Sequence, residues 1–188
     1  MGVITLLVVV AVILYVVVTY NSLVSIKNNV EKAWANIDVL LKQRNDELPK
    51  LIDTCKAYMT HESQTLERVI QARMGVDAAR QTQDIEGLGK AESALTSSLG
   101  GLFAVAESYP DLKADQTFLN LQSRISSLEN QIADRREFYN DSVHNNNVRV
   151  GQFPEVIIAS IFNFERKNML KFSAAELEDV DVSARFKN

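Results

Sequence analysis

The longest apolar run of the chain lies near its start. Residues 1–26 contain no Asp, Glu, Lys, Arg or His, and residues 3–20 are Val, Ile, Leu and Ala apart from two Thr and two Tyr. A helix rises about 1.5 Å per residue, so this run spans roughly 27 Å, close to the ~30 Å hydrocarbon core of a bilayer. We therefore predict a retained transmembrane anchor over residues 1–24.

A cleaved signal peptide and a buried core helix are the rival interpretations of this run. A signal peptide has a basic segment before its apolar stretch and a small-x-small cleavage site after it. Neither feature is present, and Lys27 is the first basic residue. Lys27 and Lys32 follow the anchor closely, so the positive-inside bias predicts an outward N-terminus and a cytoplasmic C-terminal domain.

The rest of the chain has helical periodicity. Apolar positions step by three and four in four series, over residues 26–44, 51–76, 88–109 and 118–143. Prolines at 49 and 110 and a polar stretch near 81–90 separate these series. Short connections join antiparallel neighbours. We expect an all-α protein whose N-terminal transmembrane helix continues into an antiparallel up-down four-helix bundle, with the bundle over residues 25–152.

A second apolar cluster follows the predicted bundle, in an amphipathic segment over residues 153–172. It consists of Val156, Ile157, Ile158, Ile161, Phe162 and Phe164, with Arg166 and Lys167 directly after. Helix lengths place this segment near the lipid surface. Three interpretations stay open: contact with the lipid headgroup layer, coverage of the bundle end, or contact with a second subunit. Residues 173–188 are predicted to form a flexible acidic tail.

Four charged residues share the register of the apolar series: Arg44, Glu62, Arg73 and Arg135. A buried ion has to be paired or hydrogen-bonded. We predict that these residues form a structural polar network that fixes the helix register. A binding site for an anion or partner inside the bundle is one alternative. The other is a register error of one position, which would leave the residues solvated.

Composition and charge narrow the function classes. The 20 Lys and Arg against 24 Asp and Glu give a net charge of -4. Nucleic-acid-binding domains are typically basic, so the charge does not indicate nucleic-acid binding. Two His do not make the paired Glu-x-x-His motifs of a di-iron bundle, and no Gly-rich phosphate loop is present. We interpret the one Cys, Cys55, as a buried core thiol, and Trp34 as a packing residue. We predict no catalytic site, no cofactor and no metal.

Several motifs together resemble the bacterial LemA family. They are Ala33-Trp34, Ile37-Asp38-Val39, the run Glu107-Ser108-Tyr109-Pro110-Asp111-Leu112-Lys113, Arg135-Arg136 and Phe138-Tyr139-Asn140. With the N-terminal anchor, the resemblance covers about residues 1–172. The chain departs from the family pattern at Leu40 and Gln43, where a polar and a basic residue are usual, and at Asn163, where Gly is common.

The resemblance implies a single-pass protein of the bacterial inner membrane with a helical bundle and no established enzymatic activity. One branch of the family is associated with magnetosome membrane formation. Our leading hypothesis is therefore a non-enzymatic membrane scaffold that contacts the lipid bilayer and forms a homo-oligomer. The alternative is an accessory subunit that binds another membrane protein, within a membrane protease or an envelope-stress system. A bundle that binds a small ligand or metal is a third class.

Overall fold

Helices account for nearly all of residues 1–171, the part of the chain that the computed structural model describes. The helices are α1 (Gly2–Tyr58), α2 (Ser63–Thr82), α3 (Ile85–Ala106), α4 (Pro110–Ala114), α5 (Gln116–Gly151) and α6 (Glu155–Ile161). No strand occurs within the described range, so the all-α prediction is confirmed. The predicted acidic tail, residues 173–188, lies outside the described residues.

The first helix is longer than the sequence predicted. A break was expected at residues 47–50, but α1 continues through Pro49 to Tyr58. A proline inside a helix removes one backbone hydrogen bond. Here the apolar face continues across it, because Leu48, Leu51 and Cys55 are all fully buried. Burial of that face outweighs the free-energy cost of the lost hydrogen bond. The chain turns instead at residues 59–62.

The described chain forms two compact units, and α1 and α5 contribute to both. The first unit comprises Met1–Val39 and Gln131–Met169. The second comprises Leu40–Asn130 with the described residues Leu170 and Lys171. The boundaries divide the predicted bundle over residues 25–152 between the two units.

Within the first unit, the N-terminal part of α1 packs against the C-terminal part of α5. Trp34 of α1 meets Tyr139 of α5, with the ring centroids 5.9 Å apart. Farther back along α1, the hydroxyl of Ser22 accepts a hydrogen bond of 3.1 Å from the guanidinium of Arg149. The contact nearer the start of α1 is made with a residue nearer the end of α5, so the two helices run antiparallel here.

Within the second unit, four helical segments pack in alternating directions. The guanidinium of Arg73 in α2 donates to the carbonyl of Asn45 in α1 at 3.1 Å. The α2–α3 connection is a tight turn in which Gln83 has the left-handed φ of 53° and Asp84 caps α3. The predicted break at residues 81–90 is therefore wrong in extent, since all but Gln83 and Asp84 are helical.

Asp115 caps the start of α5 at the other end of the second unit. The carboxylate of Asp115 accepts a hydrogen bond of 2.9 Å from the backbone N–H of Phe118, in the first turn of α5. The same carboxylate accepts from the hydroxyl of Tyr58, the last residue of α1. These bonds depress the pKa of Asp115, with the Phe118 N–H as the largest cause. The hydrogen bond to Asp115, and then its charge, raise the pKa of Tyr58.

Candidate functional site

A buried ion cluster lies inside the second unit around Arg44. The side chains of Arg44 and Glu92 are each 1% exposed, and the guanidinium makes a two-pronged contact with the carboxylate at 2.5 and 2.9 Å. Arg44 also pairs with Glu129, whose side chain is partly exposed. The hydroxyl of Thr96 donates to the other oxygen of Glu129 at 3.0 Å. The cluster joins α1, α3 and α5.

The electrostatics of Arg44 favour its charged form. Burial acts against the charge, which is the largest single influence on the pKa. The attraction of Glu92 and then Glu129, together with their hydrogen bonds, outweighs it and raises the pKa of the guanidinium above its ordinary value. A planar guanidinium facing a carboxylate with two parallel hydrogen bonds is a strong and directional pair. The cluster therefore fixes how α1 and α3 align within this unit.

A second ion pair lies one turn farther along α1. Glu47 is nearly buried and pairs with Arg124 of α5 at 3.1 Å. Lys50, one turn on, reaches the other oxygen of the same carboxylate at 3.0 Å. This pair repeats the α1–α5 link that Arg44 makes to Glu129.

The predicted network of Arg44, Glu62, Arg73 and Arg135 is not the network that forms. Arg44 is buried as expected, but its partners Glu92 and Glu129 were not predicted. Glu62 precedes α2 and accepts a hydrogen bond of 3.4 Å from Tyr109.

Arg73 and Arg135 also depart from the predicted network. Arg73 is half-buried and bonds a backbone carbonyl. Arg135 lies in the first unit with an exposed side chain, while the next residue, Arg136, is buried. The predicted register of α5 was therefore wrong by one residue at this position.

The sequence carried a signal for Glu92 that the prediction missed. Glu92 stands four residues after Leu88 and three before Leu95, both buried, which is the spacing of one helix face. Ala91, the preceding residue, is apolar and fits the same spacing, but it is only half-buried. Three-and-four spacing allows both positions, so only a partner such as Arg44 decides between them.

In the first unit, α6 divides the predicted apolar cluster between an inner and an outer set. Ile158 and Ala159 are buried together with Leu23 of α1 and Val150 of α5, and Val16 and Phe164 pack against this core. The outer set is exposed and consists of Val156, Ile157, Ile161 and Phe162, and Phe153 just before α6 is exposed as well. Coverage by the unit itself therefore accounts for the inner set.

Polar groups hold both ends of α6. At its start, Glu155 pairs with Arg149 at 3.4 Å and accepts from Gln152 at 3.0 Å. At its end, the backbone N–H of Phe164 donates to the carbonyl of Ala159 at 2.9 Å. Asn163 between them has a φ of 56°. A left-handed turn at a helix end favours Gly, and Asn is among the residues that tolerate this region.

The segment after α6, residues 164–169, is bound along α5 through its backbone. The amide of Asn147 accepts from the N–H of Lys167 at 2.8 Å and donates to the carbonyl of the same residue at 2.9 Å. Asn146 donates to the carbonyl of Glu165, and the hydroxyl of Tyr139 donates to the carbonyl of Asn168. We call residues 164–169 the C-terminal segment. This interaction was not predicted, because the sequence does not indicate which backbone groups an asparagine on a helix will bind.

The remaining chemistry-bearing residues take structural places. Cys55 is buried as predicted, and burial raises the pKa of its thiol to about 11. A thiol with such a pKa is a poor nucleophile at neutral pH. Trp34 packs against the ring of Tyr139, in agreement with its interpretation as a packing residue. Within residues 1–171, no group of three or more His, Cys, Asp or Glu side chains is placed to hold a metal ion.

The N-terminal part of α1 has the character of a membrane span. It is long and apolar enough to cross a bilayer, and 6% of its most apolar stretch is buried by the rest of the protein. A core helix of a water-soluble protein would bury most of such a stretch. Large apolar side chains between Val3 and Val18, apart from the half-buried Val16, are instead 43–73% exposed, for example Tyr15 at 43% and Val3 at 73%.

Comparison with known proteins gives one consistent family. Residues 33–184 match the model of the LemA family. Protein LemA of Metamycoplasma hominis is 29% identical over 164 residues, covering 86% of this chain and 72% of the relative. Magnetosome protein MamQ 2 of Paramagnetospirillum magneticum is 25% identical over 87% of this chain and 69% of the relative. Magnetosome protein MamQ of Magnetospirillum gryphiswaldense is 24% identical, over 87% and 68%.

Proposed function

This chain belongs to the LemA family, and from that premise we propose that it is a non-enzymatic, membrane-anchored helical scaffold that associates with itself. The observation that carries the proposal is α1. It starts as an exposed apolar helix of membrane-spanning length and continues without a break into the packed helices. The names of the magnetosome relatives favour a role in organising a membrane.

We place the packed helices on the cytoplasmic side of the bacterial inner membrane. Lys27 and Lys32 follow the apolar run within a few residues, and both are exposed. Arg166 and Lys167, also exposed, come directly after the α6 turn in the same unit. Basic residues close to a span favour retention on the cytoplasmic side, which supports this orientation.

The charged groups of the second unit support a structural rather than a catalytic role. Arg44 and Glu92 bind each other and are sealed from solvent, so no substrate reaches them without unfolding. A catalytic acid or base has to lie within hydrogen-bond reach of its substrate. The buried cluster stabilises the fold and leaves the outer surfaces for association.

A groove in the first unit is suited to self-association. It lies between α1 and α5, has a volume of about 620 Å³, and is lined in part by Ile26, Phe138 and Val148. Phe138 and Val148 are 52% and 45% exposed. Anchoring confines copies of the chain to two dimensions, which raises their effective concentration at such a surface.

Mass photometry of the full-length protein in mild detergent tests self-association. We expect an oligomer that Phe138→Ser weakens, because this substitution removes the largest exposed apolar side chain of the groove. Met74→Ser is the matched control, since Met74 is a large exposed apolar residue of α2 in the second unit. A monomer at all concentrations, or equal effects of the two variants, would contradict the proposal. Crosslinking in native membranes separates self-association from the alternative, an accessory subunit that binds a different membrane protein.

A further inference from the structure

The outer face of α6 is the most exposed apolar surface outside the predicted span within the first unit. Phe153 is 79% exposed, Ile161 67% and Ile157 52%, and Val156 and Phe162 complete the face. Scattered single apolar residues are ordinary on a protein surface, but a contiguous group marks a surface that something covers. We call these five residues the α6 face.

The position of α6 beside the span identifies what covers this face. The core under α6 contains Leu23 and is packed by Val16, which lies inside the predicted anchor. Tyr20, at the end of the apolar run, places its ring centroid 4.8 Å from that of Phe162 and 5.8 Å from that of Phe164. α6 therefore lies against the last turns of the predicted span.

We propose that the α6 face inserts into the lipid headgroup layer of the same bilayer that α1 crosses, so that the protein contacts the membrane at two points. The inference rests on the proposed anchoring by α1. A lipid surface is favoured over a second copy because the α6 face adjoins, through the Tyr20–Phe162 contact, the exposed apolar surface of α1 that the proposed anchoring puts in lipid. Apolar side chains at the interface beside basic residues are the features of an interfacial helix.

The residues flanking α6 fit a lipid surface of negative charge. Arg166 and Lys167 are exposed immediately after the α6 turn. Basic side chains near the membrane surface are attracted to anionic headgroups. The contacts of Arg149 with Ser22 and Glu155 fix the start of α6 against α1, so the α6 face is held in position rather than loosely tethered.

Depth-dependent fluorescence quenching tests this inference on the full-length protein. A single environment-sensitive fluorophore is attached at Ile157→Cys or Ile161→Cys, after reconstitution into phosphatidylethanolamine–phosphatidylglycerol vesicles. Cys55 stays in place, because its burial and raised pKa of about 11 protect it from the labelling reagent. Vesicles with lipids spin-labelled near the headgroup serve as quenchers. Ser97→Cys, an exposed position of α3 in the second unit, is the matched control.

The inference predicts blue-shifted emission and shallow quenching for both α6 probes, at least several-fold stronger than for the control. Blue-shifted emission without lipid quenching would show that a second copy covers the face, and would overturn the inference. Emission equal to that of the control would overturn it as well.

A probe at Val10→Cys, within the span, read with lipids spin-labelled deep in the acyl chain, separates failure of the inference from failure of the anchoring. A quenched Val10 probe beside unquenched α6 probes contradicts the inference alone. An unquenched Val10 probe contradicts the proposed anchoring, and with it the inference. Lower quenching of the α6 probes in Arg166→Gln/Lys167→Gln, with Val10 quenching unchanged, is expected if the basic pair adds to the lipid contact.

Discussion

In the second unit the charged side chains of Arg44 and Glu92 are buried and bind each other. In the first unit the arrangement differs, because polar side chains such as Asn147 bind backbone while the apolar α6 face is directed outward. A buried ion pair suits a part of the protein whose packing has to be fixed. An exposed apolar face suits a part that contacts something beyond the chain. The comparison therefore assigns stability chiefly to one unit and contact with the membrane to the other.

The largest effect is expected from Glu92→Ala, which leaves the buried guanidinium of Arg44 with one partly exposed carboxylate. Removing one partner of a buried ion pair costs about 3–5 kcal/mol. Chemical denaturation of the full-length protein in detergent measures the loss. Glu86→Ala is the matched control, because Glu86 belongs to an exposed pair with Lys90 in the same helix.

The double variant Arg44→Met/Glu92→Leu sharpens the same test. It removes both buried charges, and well-packed apolar replacements of a buried pair are often neutral or better. We expect it to be more stable than Glu92→Ala. Equal losses for Glu92→Ala and Glu86→Ala would show that the cluster does not hold the second unit together.

A smaller loss is expected from Gly89→Ala in α3. A Cβ at this position would overlap the backbone carbonyl oxygen of Lys171. Overpacking of this kind costs roughly 1–3 kcal/mol. Gly100→Ala in the same helix is the control, because the described residues leave open space there and the better helix former adds about 1 kcal/mol. A stabilised Gly89→Ala variant would mean that the chain does not pass this close to α3.

Asn147→Ala is expected to release the C-terminal segment of the first unit. It removes two hydrogen bonds to Lys167, and each contributes about 0.5–1.5 kcal/mol. Hydrogen exchange at the Lys167 amide measures the release, which should be faster while exchange in the α3 core stays unchanged. Asn145→Ala, at an exposed neighbour in α5, should leave the Lys167 amide protected. Unaltered exchange in the Asn147 variant would contradict the backbone interaction.

The smallest effect is a pH dependence from Asp115. Its pKa is depressed in the folded state, because the ionised carboxylate accepts from the Phe118 N–H and then from Tyr58. The contribution of the charge to stability is therefore present above the unfolded-state pKa of about 3.9 and is lost as pH falls through the lower folded-state value. Asp115→Asn should melt below the unaltered protein at pH 7, and the gap in Tm should narrow near pH 3. A gap that is constant with pH would contradict this role.

Much of the fold could be predicted because helix faces repeat. The series through Leu88, Leu95 and Leu102, and the one through Ile125 and Ile132, are buried as the spacing indicated. Pro49 was misread as a break, because the continuing apolar face on both sides decides whether a helix accommodates proline. Local sequence does not contain that tertiary contribution.

The polar sites were predicted less well, because their partners lie far away in sequence. Arg44 was identified from its register, whereas Glu92 and Glu129 could be found only by knowing which helices adjoin. Arg135 and Arg136 are both compatible with a three-and-four spacing, and packing selects Arg136 for burial. The bonds that Asn147 makes to backbone leave no trace in the pattern of hydrophobic residues.

The most direct test of the central claim is the intact mass of the protein recovered from cell membranes washed with alkaline carbonate. The account predicts that the protein stays in the membrane pellet and that its mass includes the apolar residues 3–20. Release into the supernatant, or a mass that lacks those residues, would contradict a retained α1 that spans the membrane and continues into the packed helices.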